Sequence, residues 1–138
     1  MNKNIINDEI ETAYKLLAEH EVAKGGVIKG SFRGQISSFG AAIVMGNLLA
    51  AIAYFSKQGG ASVERQKLIA IIYDIIKKRH ENENMPADLF SYANGKKKKG
   101  AERNCKEEIL NAAIAVKLAM NLYKLEKEKK EESHEKIS

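Results

Sequence analysis

The groups in this 138-residue chain that could do acid–base, nucleophilic or metal chemistry are three histidines, one cysteine and eighteen carboxylates. Their spacing makes no recognisable site. A zinc centre needs histidine or cysteine ligands paired a few residues apart, and His20, His80 and His134 are far from one another and from Cys105. Each reads as a surface histidine, and no metal is expected. Cys105 would be a nucleophile only if folding brought it a base; a semi-buried structural thiol is the plainer reading. A metal-dependent nuclease needs two or three carboxylates turned into one pocket, whereas Glu64, Asp74 and Asp88 are separated and fall on polar faces. The run Gly30-Ser31-Phe32-Arg33-Gly34 has glycines but no following Lys-Ser or Lys-Thr and no strand to leave, so it is not a phosphate loop. The expectation is no catalytic residue, no cofactor and no enzymatic activity.

The remaining chemistry is electrostatic. The net charge is +5, and +4 of it falls in residues 96–138. Within that stretch Lys96, Lys97, Lys98, Lys99, Arg103 and Lys106 face one nearby acid, Glu102. A local basic cluster on a nearly neutral body fits an anionic partner such as nucleic acid; a solvated loop kept soluble by charge is the bland alternative. Lysine outnumbers arginine nineteen to four, which favours loose attraction to phosphates over bidentate reading of base edges. Lys29, Arg33, Lys57, Lys67, Lys77, Lys78 and Arg79 are further candidates. If two or three of them converge, they form a groove that tracks a nucleic-acid backbone without base preference.

The elements that must position these groups are helical. Ile6, Ile10, Tyr14 and Leu17 form one apolar stripe over about 5–22, and Lys24-Gly25-Gly26 ends it. A second helix begins near Ser31 and carries Phe32, Ile36, Phe39 or Gly40, and Ile43. Gly46 and Asn47 provide a C-cap and an N-cap, and a third helix, 48–57, is apolar on almost every face, as suits a bundle centre or a partner interface. A fourth starts at Ser62, with Leu68 or Ile69, Ile72, and Ile75 or Ile76 inward. A short fifth covers 86–93, the lysine run follows as a flexible loop, and a long last helix spans about 101–127 with Ile109, Ala113, Val116 and Met120 on one side. No segment alternates long enough to be a strand. The expected architecture is an all-α single-domain bundle of five or six helices over 1–127, with a frayed charged tail at 128–138. One cysteine permits no intrachain disulfide. The apolar stretch 36–55 is broken by Ser37, Ser38, Gly46 and Asn47 and reads as two buried helices, not a membrane span. A cytoplasmic protein with no membrane partner is expected.

Ala42, Gly46 and Ile52 have the small–Gly–aliphatic spacing of a helix-turn-helix, but the helix that would read DNA offers almost no side chain able to do so. The same region supports a different resemblance. Gly34-Gln35-Ile36-Ser37-Ser38-Phe39-Gly40-Ala41-Ala42-Ile43, followed by Gly46-Asn47-Leu48-Leu49-Ala50-Ala51-Ile52-Ala53-Tyr54-Phe55, resembles the core of the small α-helical subunit of the type III-B CRISPR RNA-targeting complex, the fifth protein of the Cmr module. Gly40, Gly46, Leu48, Leu49, Ile52, Ala53 and Phe55 carry the likeness, with an extra Asn47 and with Tyr54 beside Phe55. It covers roughly residues 30–57. The resemblance implies a non-catalytic antiviral-defence subunit that stacks in several copies beside the guide-carrying backbone subunits and contacts guide and target RNA without sequence preference. Its implied partners are the other subunits of that complex and copies of itself. A free-standing, non-specific nucleic-acid-binding protein using Lys96–Lys106 is the alternative.

Overall fold

The structure, a computed structural model, describes residues 1–127; the charged tail expected at 128–138 lies outside the described residues. It is a mostly helical single domain of six helices with a small three-stranded sheet: α1 (Lys3–Glu19), β1 (Ala23–Lys24), β2 (Val27–Lys29), α2 (Gly30–Met45), α3 (Leu48–Phe55), α4 (Gln66–Arg79), α5 (Leu89–Lys98), α6 (Glu102–Met120) and β3 (Lys124–Glu126). The domain is built around α6, which lies against α1, α2, α4 and α5. Small side chains make this possible. Ala112, Ala115 and Ala119 are fully enclosed with Ile109, Val116 and Met120, so neighbouring helices approach closely on several sides at once. α4 supplies the largest aliphatic block, with Ile71, Ile72, Ile75 and Ile76 all enclosed.

The apolar stripes fold as their spacing requires. Phe32, Ile36, Phe39 and Ile43 are the buried face of α2, and both alternatives at 68/69 and 75/76 on α4 are inward. Tyr14 departs from its stripe: it is 39% exposed and stacks on Tyr123, ring centroids 4.6 Å apart. Asn47 caps α3 as expected, accepting from the Ala50 amide at 3.0 Å. α3 is not enveloped. Leu48, Ala51, Ile52 and Phe55 face inward, while Ala53 and Tyr54 are exposed.

Three sequence expectations are corrected. The expectation of no strands fails because β1 and β2 form a hairpin through Gly25-Gly26, both at positive φ (58° and 79°). Two such residues make the tight turn that suits strand twist. β3 then pairs parallel to β2, Val27 opposite Lys124. Strands of two and three residues are too short for alternation to show. The last helix accordingly stops at Met120 instead of 127.

Second, α4 begins at Gln66, not Ser62. Residues 56–65 form a loop pinned by Arg65, which is only 5% exposed. Its Nε donates to the Lys57 carbonyl at 2.7 Å and a terminal nitrogen to the Tyr54 carbonyl at 2.9 Å. Its guanidinium also lies 4.3 Å from the Tyr54 ring centroid. Third, the lysine run is not a loop but the end of α5. No helix among the described residues is long and apolar enough to cross a membrane.

Removing enclosed volume from α4 tests this core. Ile72→Ala is expected to destabilise the domain by about 2–5 kcal/mol, and Asn47→Ala by about 1 kcal/mol through loss of its cap. Denaturant midpoints at unchanged m-value measure both.

Candidate nucleic-acid interface

Helix α5 turns the lysine run into a fixed feature. Asp88 caps its start, Oδ1 accepting from the Ser91 amide at 2.8 Å, and Leu89, Tyr92 and Ala93 bury one face. The helix then runs through Asn94-Gly95 and ends at a defined stop. The Ala101 amide bonds the Lys96 carbonyl at 2.8 Å and the Gly100 amide the Lys97 carbonyl at 3.1 Å. Gly100 has φ +74°. This is a Schellman ending with glycine in the left-handed position. Lysines in a last turn also suit the negative end of the helix dipole, which is a structural reason for their presence independent of any ligand. Arg103 follows at once in the first turns of α6. Lys97, Lys98, Lys99 and Arg103 are exposed and form no ion pair with another described residue. Lys96 differs: it is half-buried, with its ammonium 5.4 Å from the Tyr92 ring centroid.

The other candidates fall in several places: Lys77 and Lys78 line a cleft with His80 and Glu83. Lys29 and Lys67 do converge, lining a cavity of about 280 Å³ with Lys24, but Glu21, Glu64 and Glu126 line it too. Lys67 is 3.6 Å from Glu64. Three acids beside three lysines cancel the field an anion would need. Lys57 borders a separate cleft with Tyr73 and Phe90, and the Lys77 ammonium sits 5.7 Å from the Tyr73 ring centroid. Lys78 reaches the Thr12 hydroxyl at 3.4 Å, and Arg33 donates to Asn121 Oδ1 at 3.3 Å.

Arg79, another of the candidates, is engaged within the chain. It pairs with Glu9 of α1, whose side chain is 4% exposed, and also donates to the Ile5 carbonyl at 3.1 Å. Burial raises the Glu9 pKa, with Arg79 opposing it through a hydrogen bond and its charge. One oxygen of Glu9 has no hydrogen-bond partner, so Arg79 is the group that holds this carboxylate in place.

Beside that pair is a cluster that residue spacing did not reveal. His80, taken as a surface histidine, has Nδ1 2.5 Å from Glu83 and Nε2 2.6 Å from Glu108. Tyr92 donates to the other oxygen of Glu108 at 2.6 Å. Burial pushes the Tyr92 hydroxyl pKa well up, with Glu108 adding to the shift. His20 is likewise engaged, 2.8 Å from Asp74. Nothing in the spacing 80, 83, 92, 108 marks the cluster except His80 and Glu83 at one helical turn. His134 lies outside the described residues. Cys105 is buried, and burial first, then the Glu108 charge, push its thiol up to about 12. That environment is opposite to the electropositive one that activates a thiol. Among the described residues no group of three or more His, Cys, Asp or Glu could hold a metal ion.

The residues that carry the family resemblance are largely packing residues. Leu48, Ile52 and Phe55 are in the core, and Leu49 is half-buried. A Cβ on Gly46 would come 3.0 Å from the Ala42 carbonyl, and one on Gly40 would touch Leu110 at 4.0 Å. Gly40 therefore faces α6 of its own chain. Gly46 and Ala53 are the exposed members of the set. No family model matches the chain, and no curated protein or solved structure matches it.

Two measurements separate structural from available cations. Arg79→Ala strands Glu9 and is expected to cost about 3–5 kcal/mol, while Lys97→Ala changes stability by less than about 0.5 kcal/mol; chemical denaturation of the two variants decides. Cys105 is expected to resist a thiol reagent at pH 8 in the folded protein and to react fully once it is unfolded.

Proposed function

We propose that this chain is a non-catalytic RNA-binding subunit of a larger ribonucleoprotein, of the type III-B CRISPR effector kind that residues 30–57 resemble. The observation that carries the RNA part is the α5–α6 corner, where Lys97, Lys98, Lys99 and Arg103 project from two helix ends without a paired acid among the described residues. Four cations on rigid backbone attract phosphates in any sequence context. Lysine ammonium groups give little base discrimination. The subunit part is supported by apolar side chains left outside on the resembling run and next to it. Val44 is 59% exposed, Met45 86% and Tyr54 65%. Exposed apolar groups of that size suit contact with neighbouring subunits or with copies of the chain.

The same corner supports a second reading, a free-standing, non-specific nucleic-acid binder. Co-purification of the tagged protein from its native host discriminates the two. Recovery with other effector subunits and short guide RNAs supports the first reading; recovery alone, or with bulk nucleic acid and no guides, supports the second.

In vitro, replacing Lys97, Lys98, Lys99 and Arg103 together by alanine is expected to weaken single-stranded RNA binding. The slope of log K against log salt should fall by about 3, at roughly 0.7 for each phosphate no longer neutralised. An unchanged slope would remove the corner from the interface.

A further inference from the structure

His80 stands at a junction. It is the C-cap of α4, and the segment 80–88 leads from it into α5. Both of its ring nitrogens lie against carboxylate oxygens, Nδ1 at 2.5 Å from Glu83 and Nε2 at 2.6 Å from Glu108. A neutral imidazole carries one N–H, so only the imidazolium can donate to both at once. Its contacts join three parts of the chain: Glu83 belongs to the connecting segment, Glu108 to α6, and Tyr92, bonded to Glu108, to α5.

The charged surroundings come from several elements. Asp74, Lys77 and Lys78 of α4 and Glu81 of the connecting segment share one cleft with His80 and Glu83. Arg79 of α4 is engaged by Glu9 of α1. Lys96 of α5 lies over Tyr92 and acts on Glu83 through its charge. From α6, Cys105 lies within electrostatic reach of Glu108, and Glu107 shares a cleft with His80. The two bridges are not equal. Glu108 is 21% exposed and shared with Tyr92, whereas Glu83 is 57% exposed. Water reaches the Glu83 side most readily, so that bridge is the weaker of the two.

We propose that His80 is a proton-operated latch on the basic corner. As imidazolium it ties the 80–88 segment and the lysine-bearing α5 to α6; on deprotonation it releases Glu83 and loosens that segment. Burial opposes the charged form, but hydrogen bonds and charges from Glu83 and Glu108 outweigh it, and the pKa lies above the ordinary 6.5. The stabilisation is therefore fully present below about pH 6.5 and is lost as pH rises through the raised value. On the acid side, the His80 hydrogen bond lowers the Glu83 pKa below 4.5, so that bridge persists to lower pH than a free carboxylate would allow.

Hydrogen exchange of the full chain without RNA, with histidine ring titration by NMR, tests the latch independently of any RNA role. His80 is expected to titrate above 6.5. Exchange over residues 81–98, corrected for the intrinsic effect of pH, should rise roughly tenfold across that titration, the shift one charge-assisted hydrogen bond allows, while α2 stays unchanged. Glu83→Gln should lower the His80 pKa and remove the step, and His80→Gln should remove it altogether. Titration at or below 6.5, protection without a step, or a step that survives in Glu83→Gln overturns the proposal. The Glu83 variant, altered at an exposed carboxylate, keeps the test open should His80→Gln fail to fold.

Discussion

Close approach to α6 is the constraint on which the other elements depend. A helix that meets α1, α2, α4 and α5 has little room to spare, and it intersperses Ala112, Ala113, Ala115 and Ala119 with the larger Ile109, Val116 and Met120 on its buried faces. Because interiors are packed near crystal density, bulk added at any of these positions would displace a neighbouring helix. α5 is among those neighbours, and it holds the lysine corner. What ties it to α6 by side chain is the Tyr92 hydrogen bond to Glu108.

Polar groups are concentrated where the C-terminal end of α4 meets α1, α5 and α6. Arg79 holds Glu9, and His80 holds Glu83 and Glu108. A buried ion pair gives little net stability against an apolar alternative, but breaking one leaves an uncompensated charge. The seam therefore fixes register more than it adds stability: α1, α4, α5 and α6 can satisfy these groups together in one arrangement. The cations divide along the same lines. Arg65 is held inside by carbonyls and Arg79 is tied at the surface to Glu9 and the Ile5 carbonyl, while Lys97, Lys98 and Lys99 are held only by their backbone.

The one-dimensional pattern is informative where burial has a period. The stripes of α2, α4 and α6 are visible because the apolar residues recur at the helical repeat, and Asn47 is a visible cap. The pattern misleads where composition and local geometry disagree. The lysine run looks like a loop by polarity, yet Lys99-Gly100-Ala101 is a helix stop whose glycine is a readable signal. Gly25-Gly26 suits a helix terminator, though the same pair is also a hairpin turn. β3 has no signal of its own; its three residues are all exposed, and only its parallel partner β2 makes it a strand.

Five or six helices, most of their inward faces and a basic stretch near residue 100 were legible in the order of residues, because helix formation and amphipathicity are set by neighbours three and four positions apart. Which cations remain available was not. Glu9 and Arg79 are 70 residues apart, and His80 and Glu108 are 28 apart; no local rule relates them. Folding alone brought them within hydrogen-bond distance, engaging Arg79 and His80 within the chain and leaving Lys97, Lys98, Lys99 and Arg103 exposed without an ion pair among the described residues.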